Sequence, residues 1–121
     1  MKIETVEKNG VTVAVVTEGT AITDAASAME LAMTVRYETG CSRIASDKEP
    51  VCGDFFILST QLAGEILQKF INYRVKMAIY GDYSHYTSKP LHDFIYESNQ
   101  GNDFFFVATK EEAMEKLAAA R

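Results

Sequence analysis

KNGVTVAVVT, residues 8–17, is the stretch on which the fold turns. Its Asn9-Gly10 pair is the strongest short hairpin signal, because both residues tolerate the positive φ of a tight two-residue turn. The run behind it, residues 11–17, is β-branched and almost wholly apolar, as a strand covered on both faces would be. Ahead of the turn, residues 2–7 alternate in a weaker strand pattern. The chain therefore opens as a β-hairpin whose second strand lies inside a sheet.

Helices and strands then alternate. Thr23 and Asp24 can each cap a helix in which Ala25, Ala28, Met29, Ala32, Val35 and Arg36 recur at helical spacing, with Gly40 as its stop. A short strand is expected over residues 42–46, and residues 47–53 read as a loop. Asp54 is placed to cap a long helix striped by Phe55, Leu58, Leu62, Ile66 and Phe70 and widened by Ala63, Leu67 and Ile71. Residues 75–80 form a strand ended by Gly81-Asp82. Ser88 or Lys89 begins a helix with Pro90 in its first turn, where proline costs no hydrogen bond, and Leu91, Phe94 and Ile95 as its buried stripe. After a turn at residues 99–102, residues 103–108 are strongly β-forming. Thr109 and Glu112 then make a capping box for a last helix facing inward through Ala113, Met114, Leu117 and Ala118.

The order ββαβαβαβα predicts one α/β domain over residues 1–121, a five-stranded mostly parallel sheet with four helices. Strands separated by a helix run parallel, through right-handed crossovers. A chain of 121 residues has room for one core. Its net charge of −5 and scattered basic residues argue against a nucleic-acid partner, which requires a basic footprint. No apolar run is long enough to span a membrane, and the opening MKIETVEKNG lacks a signal-peptide core. Cys41 and Cys52 lack CxxC spacing and read as reduced thiols, so a cytoplasmic location is expected.

Ligands of open parallel sheets bind beyond the carboxyl ends of the strands. Three loops are expected at that edge, residues 18–23, 47–53 and 81–89, and they carry Glu18, Thr20, Asp47 and Glu49 among others. The third, GDYSHYTSK, is the most suggestive, with Asp82, Tyr83, Ser84, His85, Tyr86, Thr87, Ser88 and Lys89 ahead of a helix N-terminus. Thr87, Ser88, Lys89 and the helix N–H groups could hold a phosphate or carboxylate, although hydroxyl caps are far commoner than ligand sites. Tyr80, Tyr83 and Tyr86 fit a protein-binding surface if exposed, or a strand end with a single exposed ring if not. His85 and His92 match no HExxH pair, and His92 beside Asp93 points elsewhere on a helix. Asp47, Glu49 and Asp54 match no calcium loop. There is no GxSxG, GxGxxG or GxxxxGK[ST], and no cysteine has a flanking histidine, so no cofactor and no catalytic residue is assigned. Arg36-Tyr37 and Tyr73-Arg74, similar pairs ending the two long helices, can line an interface by stacking.

Three segments carry a resemblance: TVRYETG at residues 34–40, LAGEILQKFINY at 62–73 and YTSKPLHDFIYESN at 86–99. Together they resemble the bacterial family named domain of unknown function 4180 (DUF4180), whose name implies no activity. The element order and VKMAIYGD at residues 75–82 are similar to the SpoIIAA-like, or STAS, fold of anti-sigma-factor antagonists. That likeness implies a phosphoacceptor Ser or Thr in the loop after the third strand. Here the loop reads DKEPVCGD, with Ser46 at its start and Ser59-Thr60 already in the helix, and no residue matches the acceptor. The reading is a non-catalytic regulatory or protein-binding module on a STAS-like scaffold, with a protein partner or a second copy of itself. The alternative is a protein, or an enzyme, that takes a small anionic metabolite at the carboxyl-edge loops.

Overall fold

The computed structural model describes residues 2–18 and 21–121, so Thr20 of the first predicted loop lies outside the described residues. Five strands and four helices follow the expected order: β1 (Lys2–Lys8), β2 (Val11–Glu18), α1 (Ala25–Thr39), β3 (Arg43–Asp47), α2 (Leu62–Asn72), β4 (Lys76–Tyr80), α3 (Lys89–Gln100), β5 (Phe104–Val107) and α4 (Lys110–Ala119). Asn9 and Gly10 take φ of 53° and 81°, which makes the hairpin turn that joins β1 to β2. Asp24 and Ser27 complete a reciprocal capping box on α1, and Gly40 ends that helix at φ 75°. Ser88 and Thr109 cap α3 and α4 through their hydroxyls.

The sheet is mixed rather than mostly parallel. β1 runs antiparallel to β2 at one edge, and the pairings β2–β3, β3–β4 and β4–β5 are parallel. Its strands stand in sequence order, β1-β2-β3-β4-β5. Because the parallel strands advance in one direction, right-handed crossovers carry α1, α2 and α3 to the same face. Side-chain alternation records the result. Ala14, Val16, Ile44, Met77, Ile79, Phe104 and Phe106 pack under those three helices. Their neighbours Val13, Val15, Ala45, Ala78, Phe105 and Val107 pack under α4 alone, against Ala113, Met114, Leu117 and Ala120. Arg43 ties the end of α4 to β3 by donating to the carbonyls of Leu117 and Ala120.

One expected element is wrong. Asp54 caps no long helix; residues 53–60 form two 3-10 turns, Gly53–Phe56 and Leu58–Thr60, before α2 begins at Leu62. Phe55 and Phe56 are both buried, Phe55 against Phe104 and Phe106, Phe56 against Tyr83 and Tyr86. Two consecutive rings seated in two different places suit short turns better than an α-helix that buries one stripe. The Thr60 hydroxyl holds the turns by donating toward the carbonyls of Asp54 and Ile57, both at 2.8 Å.

The two sheet edges are finished differently. At β5 the Asn99 side chain acts as a missing strand, accepting from Phe106 N–H at 2.8 Å and donating to Phe106 C=O at 2.9 Å. At β1, the other end of the sheet, no further strand follows among the described residues.

Candidate functional site

The carboxyl edge is where the predicted site residues gather, and Lys48, which sequence reasoning passed over, organises them. Its backbone N–H bonds Tyr80 C=O at 2.9 Å, extending the β3–β4 pairing into the loop. The side chain then crosses to the loop after β4, where Nζ donates to Asp82 C=O at 2.7 Å and to the Tyr86 hydroxyl at 3.2 Å. Three rings surround the ammonium, with centroids at 4.7 Å for Tyr86, 5.5 Å for Tyr83 and 5.9 Å for Phe56. Each such contact is worth about 0.5–2 kcal/mol, more where water is excluded. Gly81 lets the loops approach this closely, since a Cβ there would lie 2.9 Å from Lys48 Cβ.

Tyr83 and Tyr86 are half-buried walls of this cage rather than an exposed surface. The Tyr83 hydroxyl donates to Ile79 C=O at 2.8 Å, and burial, followed by the nearby Tyr86 and Asp47, pushes its phenol well above the ordinary range. Tyr80 points to the opposite face beside α4, half-buried, and burial raises its phenol as well. The His85 ring lies 4.2 Å from the Tyr86 ring, centroid to centroid, tilted by 34°. His92 Nε2 lies 2.6 Å from Tyr86 C=O, and because a carbonyl only accepts, that nitrogen carries the proton.

The remaining predicted residues close turns. Asp82 accepts from Ser84 N–H at 2.8 Å, and hydrogen bonds from the Ser84 side chain and backbone hold its carboxyl below the usual range. Asp47 accepts from Glu49 N–H at 2.9 Å. Ser88 is the helix cap, accepting from Leu91 N–H at 3.3 Å, while Lys89 pairs with Asp93 at 2.8 Å in solvent. Thr87 and Glu49 stay exposed. The first loop is pinned to the second through Ile22 N–H to Pro50 C=O, 2.8 Å, and Cys52 N–H to Ile22 C=O, 2.9 Å. The structure thus unites Asp82, Tyr83 and Tyr86 around Lys48 and leaves Lys89, Thr87 and Glu49 apart.

A second feature follows from topology. The loop after β4 leads to α3 on one face, whereas the connection after β5 leads to α4 on the other. Adjacent strands whose connections part in this way leave a crevice between their carboxyl ends, the usual ligand position in open α/β sheets. An open cleft of about 630 Å³ lies there, bordered by Asp82, Tyr83, Phe106, Glu112 and Lys116. Among the described residues no cluster of His, Cys, Asp or Glu is arranged to hold a metal ion, and Cys41 and Cys52 are free thiols. No helix among the described residues is long and apolar enough to cross a membrane.

Large apolar side chains that do face solvent lie mainly on the three-helix layer. Tyr37 on α1 is 91 % exposed, Tyr96 on α3 is 67 % and Tyr73 at the end of α2 is 55 %. Arg36 joins the ends of α1 and α2 by hydrogen bonds rather than by stacking, donating to Tyr73 C=O at 2.8 Å and to the Ser42 hydroxyl at 3.2 Å. No curated protein and no solved structure matches the chain. The model of one family, described as "Domain of unknown function (DUF4180)", matches residues 8–117, from the end of β1 through β2–β5 and all but the end of α4, and the chain belongs to that family.

Proposed function

We propose that the protein is a non-catalytic regulatory or protein-binding module of the bacterial cytoplasm, on a STAS-like scaffold, and that its partner is met by the three-helix layer. The observation that carries this reading is the exposure of one tyrosine at each of α1, α2 and α3, on the same face of the sheet. Tyrosine offers a broad contact with few rotamers to immobilise, and interfaces are enriched in it. Tyr37 and Tyr73 lie at neighbouring helix ends joined by Arg36, and Arg residues beside aromatic rings are common at binding hot spots. By contrast, the side chains of the carboxyl edge are spent on each other. Lys48 is turned into its cage, Ser88 caps a helix and Lys89 holds Asp93.

The test is affinity capture with the tagged full chain from lysate of its own host, repeated with Tyr37→Ser plus Tyr73→Ser. A stoichiometric partner kept by the wild type and released by the double variant supports the reading. A partner held equally by both would move the surface elsewhere.

The cleft at the β4–β5 carboxyl ends favours a second reading, a small-metabolite protein or enzyme. Its rim carries Lys116 beside Glu112 and Asp82, over Tyr83 and Phe106. A ligand binding only the folded state raises the melting temperature by mass action. A thermal-shift panel of anionic and zwitterionic metabolites should then give a hit that Lys116→Ala weakens; silence across the panel removes this reading.

A further inference from the structure

The two edges of the sheet pose one question with two answers. An edge strand exposes a row of unpaired N–H and C=O groups that invites another strand. On β5 the Asn99 amide occupies that row at Phe106. On β1 nothing among the described residues does, and the strand is exposed along most of its length, with Val6 37 % exposed at its middle.

Hydrogen-bond parity limits what can add there. Lys8 and Val11 flank the two-residue turn and form its closing hydrogen-bonded pair. Glu4, Val6 and Lys8 therefore bond inward to β2, while Ile3, Thr5 and Glu7 turn their N–H and C=O groups outward. A second β1 running antiparallel about a two-fold axis must align outward residues with outward residues.

The charges then select among the allowed alignments. Centring the axis on Glu4 opposes two glutamates, centring it on Thr5 opposes Lys2 to Lys8, and centring it on Glu7 opposes two glutamates again. Centring it on Val6 alone sets Glu4 against Lys8 twice, with Val6 against Val6 between them and Thr5 hydrogen-bonded to Glu7 on either side. Opposite charges facing across strands stabilise a pair and like charges disfavour it. We infer that β1 is a homodimerisation edge: two copies join antiparallel with Val6 on the two-fold axis, making one ten-stranded sheet. This stands independently of the partner proposed for the helix layer.

Sedimentation velocity on the full chain across a wide concentration range tests it. The wild type should pass from monomer to dimer as concentration rises. Glu4→Lys alone should weaken association about tenfold or more, because it turns two attractive pairs into two repulsive ones. Glu4→Lys with Lys8→Glu should restore it. Thr5→Pro, which removes an outward N–H and no inward one, should stay monomeric with an unchanged circular dichroism spectrum. Oxidation of a Val6→Cys, Cys52→Ser variant should give a disulfide-linked dimer. Facing residues of a non-hydrogen-bonded pair lie about 4.5 Å apart at Cα, within disulfide reach. A wild type monomeric at every concentration overturns the proposal, as does a dimer indifferent to all of these changes. A double charge variant that folds but stays monomeric, or cross-linking through Thr5→Cys in preference to Val6→Cys, overturns the register.

Discussion

At the scale of single residues, Lys48 and Gly81 carry more of the carboxyl edge than the hydroxyls that draw the eye. Gly81→Ala would place a methyl 2.9 Å from Lys48 Cβ, near the root of the side chain, where neither loop can yield cheaply. We expect a loss of about 1–3 kcal/mol in denaturant unfolding; a loss below about 0.5 kcal/mol would show that the loops part freely. Lys48→Met keeps the stem but removes the donor and the charge from the three rings, and a loss of similar size is expected, about 1–3 kcal/mol. Tyr83 gives a pH signature. Its phenol is raised in the folded chain, so on unfolding near pH 10 and above the proton is released, and stability present below pH 10 falls as pH climbs. Tyr83→Phe should flatten that alkaline slope while losing the bond to Ile79 at neutral pH, and urea midpoints from about pH 8 to 11 would read both effects. Lys48 was not legible in the sequence for a plain reason. Its cage is assembled from residues 48, 56, 83 and 86, and within its own loop it looks like any solvated charge. Tyr83 and Tyr86 are legible as notable, but whether they face solvent depends on Phe56, whose place in the apolar spacing suits a helix equally well.

Elements were legible where the local chemistry is complete in itself. Asn9-Gly10, the Gly40 stop, Pro90 behind Ser88, and Thr109 each specify a turn or a helix end without help from distant residues, and each is found in place. The start of α2 failed because the apolar spacing from Phe55 to Leu62 is compatible with a helix, and only the rings of β5 and the loop after β4 draw Phe55 and Phe56 into separate seats. Thr60→Val tests that account. Removing the hydroxyl that bonds Asp54 and Ile57 should loosen residues 53–60 selectively, seen as faster hydrogen exchange there and little change in α2. The pairing of α4 with one whole face was equally hidden, since it follows from strand order rather than from the helix's own pattern. As the one helix on that face among the described residues, α4 has no neighbouring helix to share a defect. Leu117→Ala should cost about 2–5 kcal/mol in equilibrium unfolding, and a cost under about 1 kcal/mol would mean that the face tolerates a void.

At the scale of the whole molecule, five strands in sequence order leave a layer of three helices, a back face under one helix, and a sheet edge at either end. The number and order of the elements and the opening hairpin were legible in the sequence; the order of strands in the sheet was not. The mixed sense of the sheet follows from the hairpin at one edge, and the cleft follows from the parting of the β4 and β5 connections, which no local pattern encodes. The Asn99 side chain at β5 has a last consequence, which concerns how growth ends. A subunit with two adhesive ends polymerises without limit, whereas one with a single adhesive end terminates at a pair. By blocking one end with an amide on α3, the fold makes every joining event at β1 a terminal one. Asn99→Ala should reopen the blocked end, so that light scattering rises with time at high concentration, and adding Thr5→Pro should slow that rise. If the Asn99→Ala chain scatters no more than wild type, the plug is dispensable; otherwise one side chain is the chain terminator that separates a dimer from a fibre.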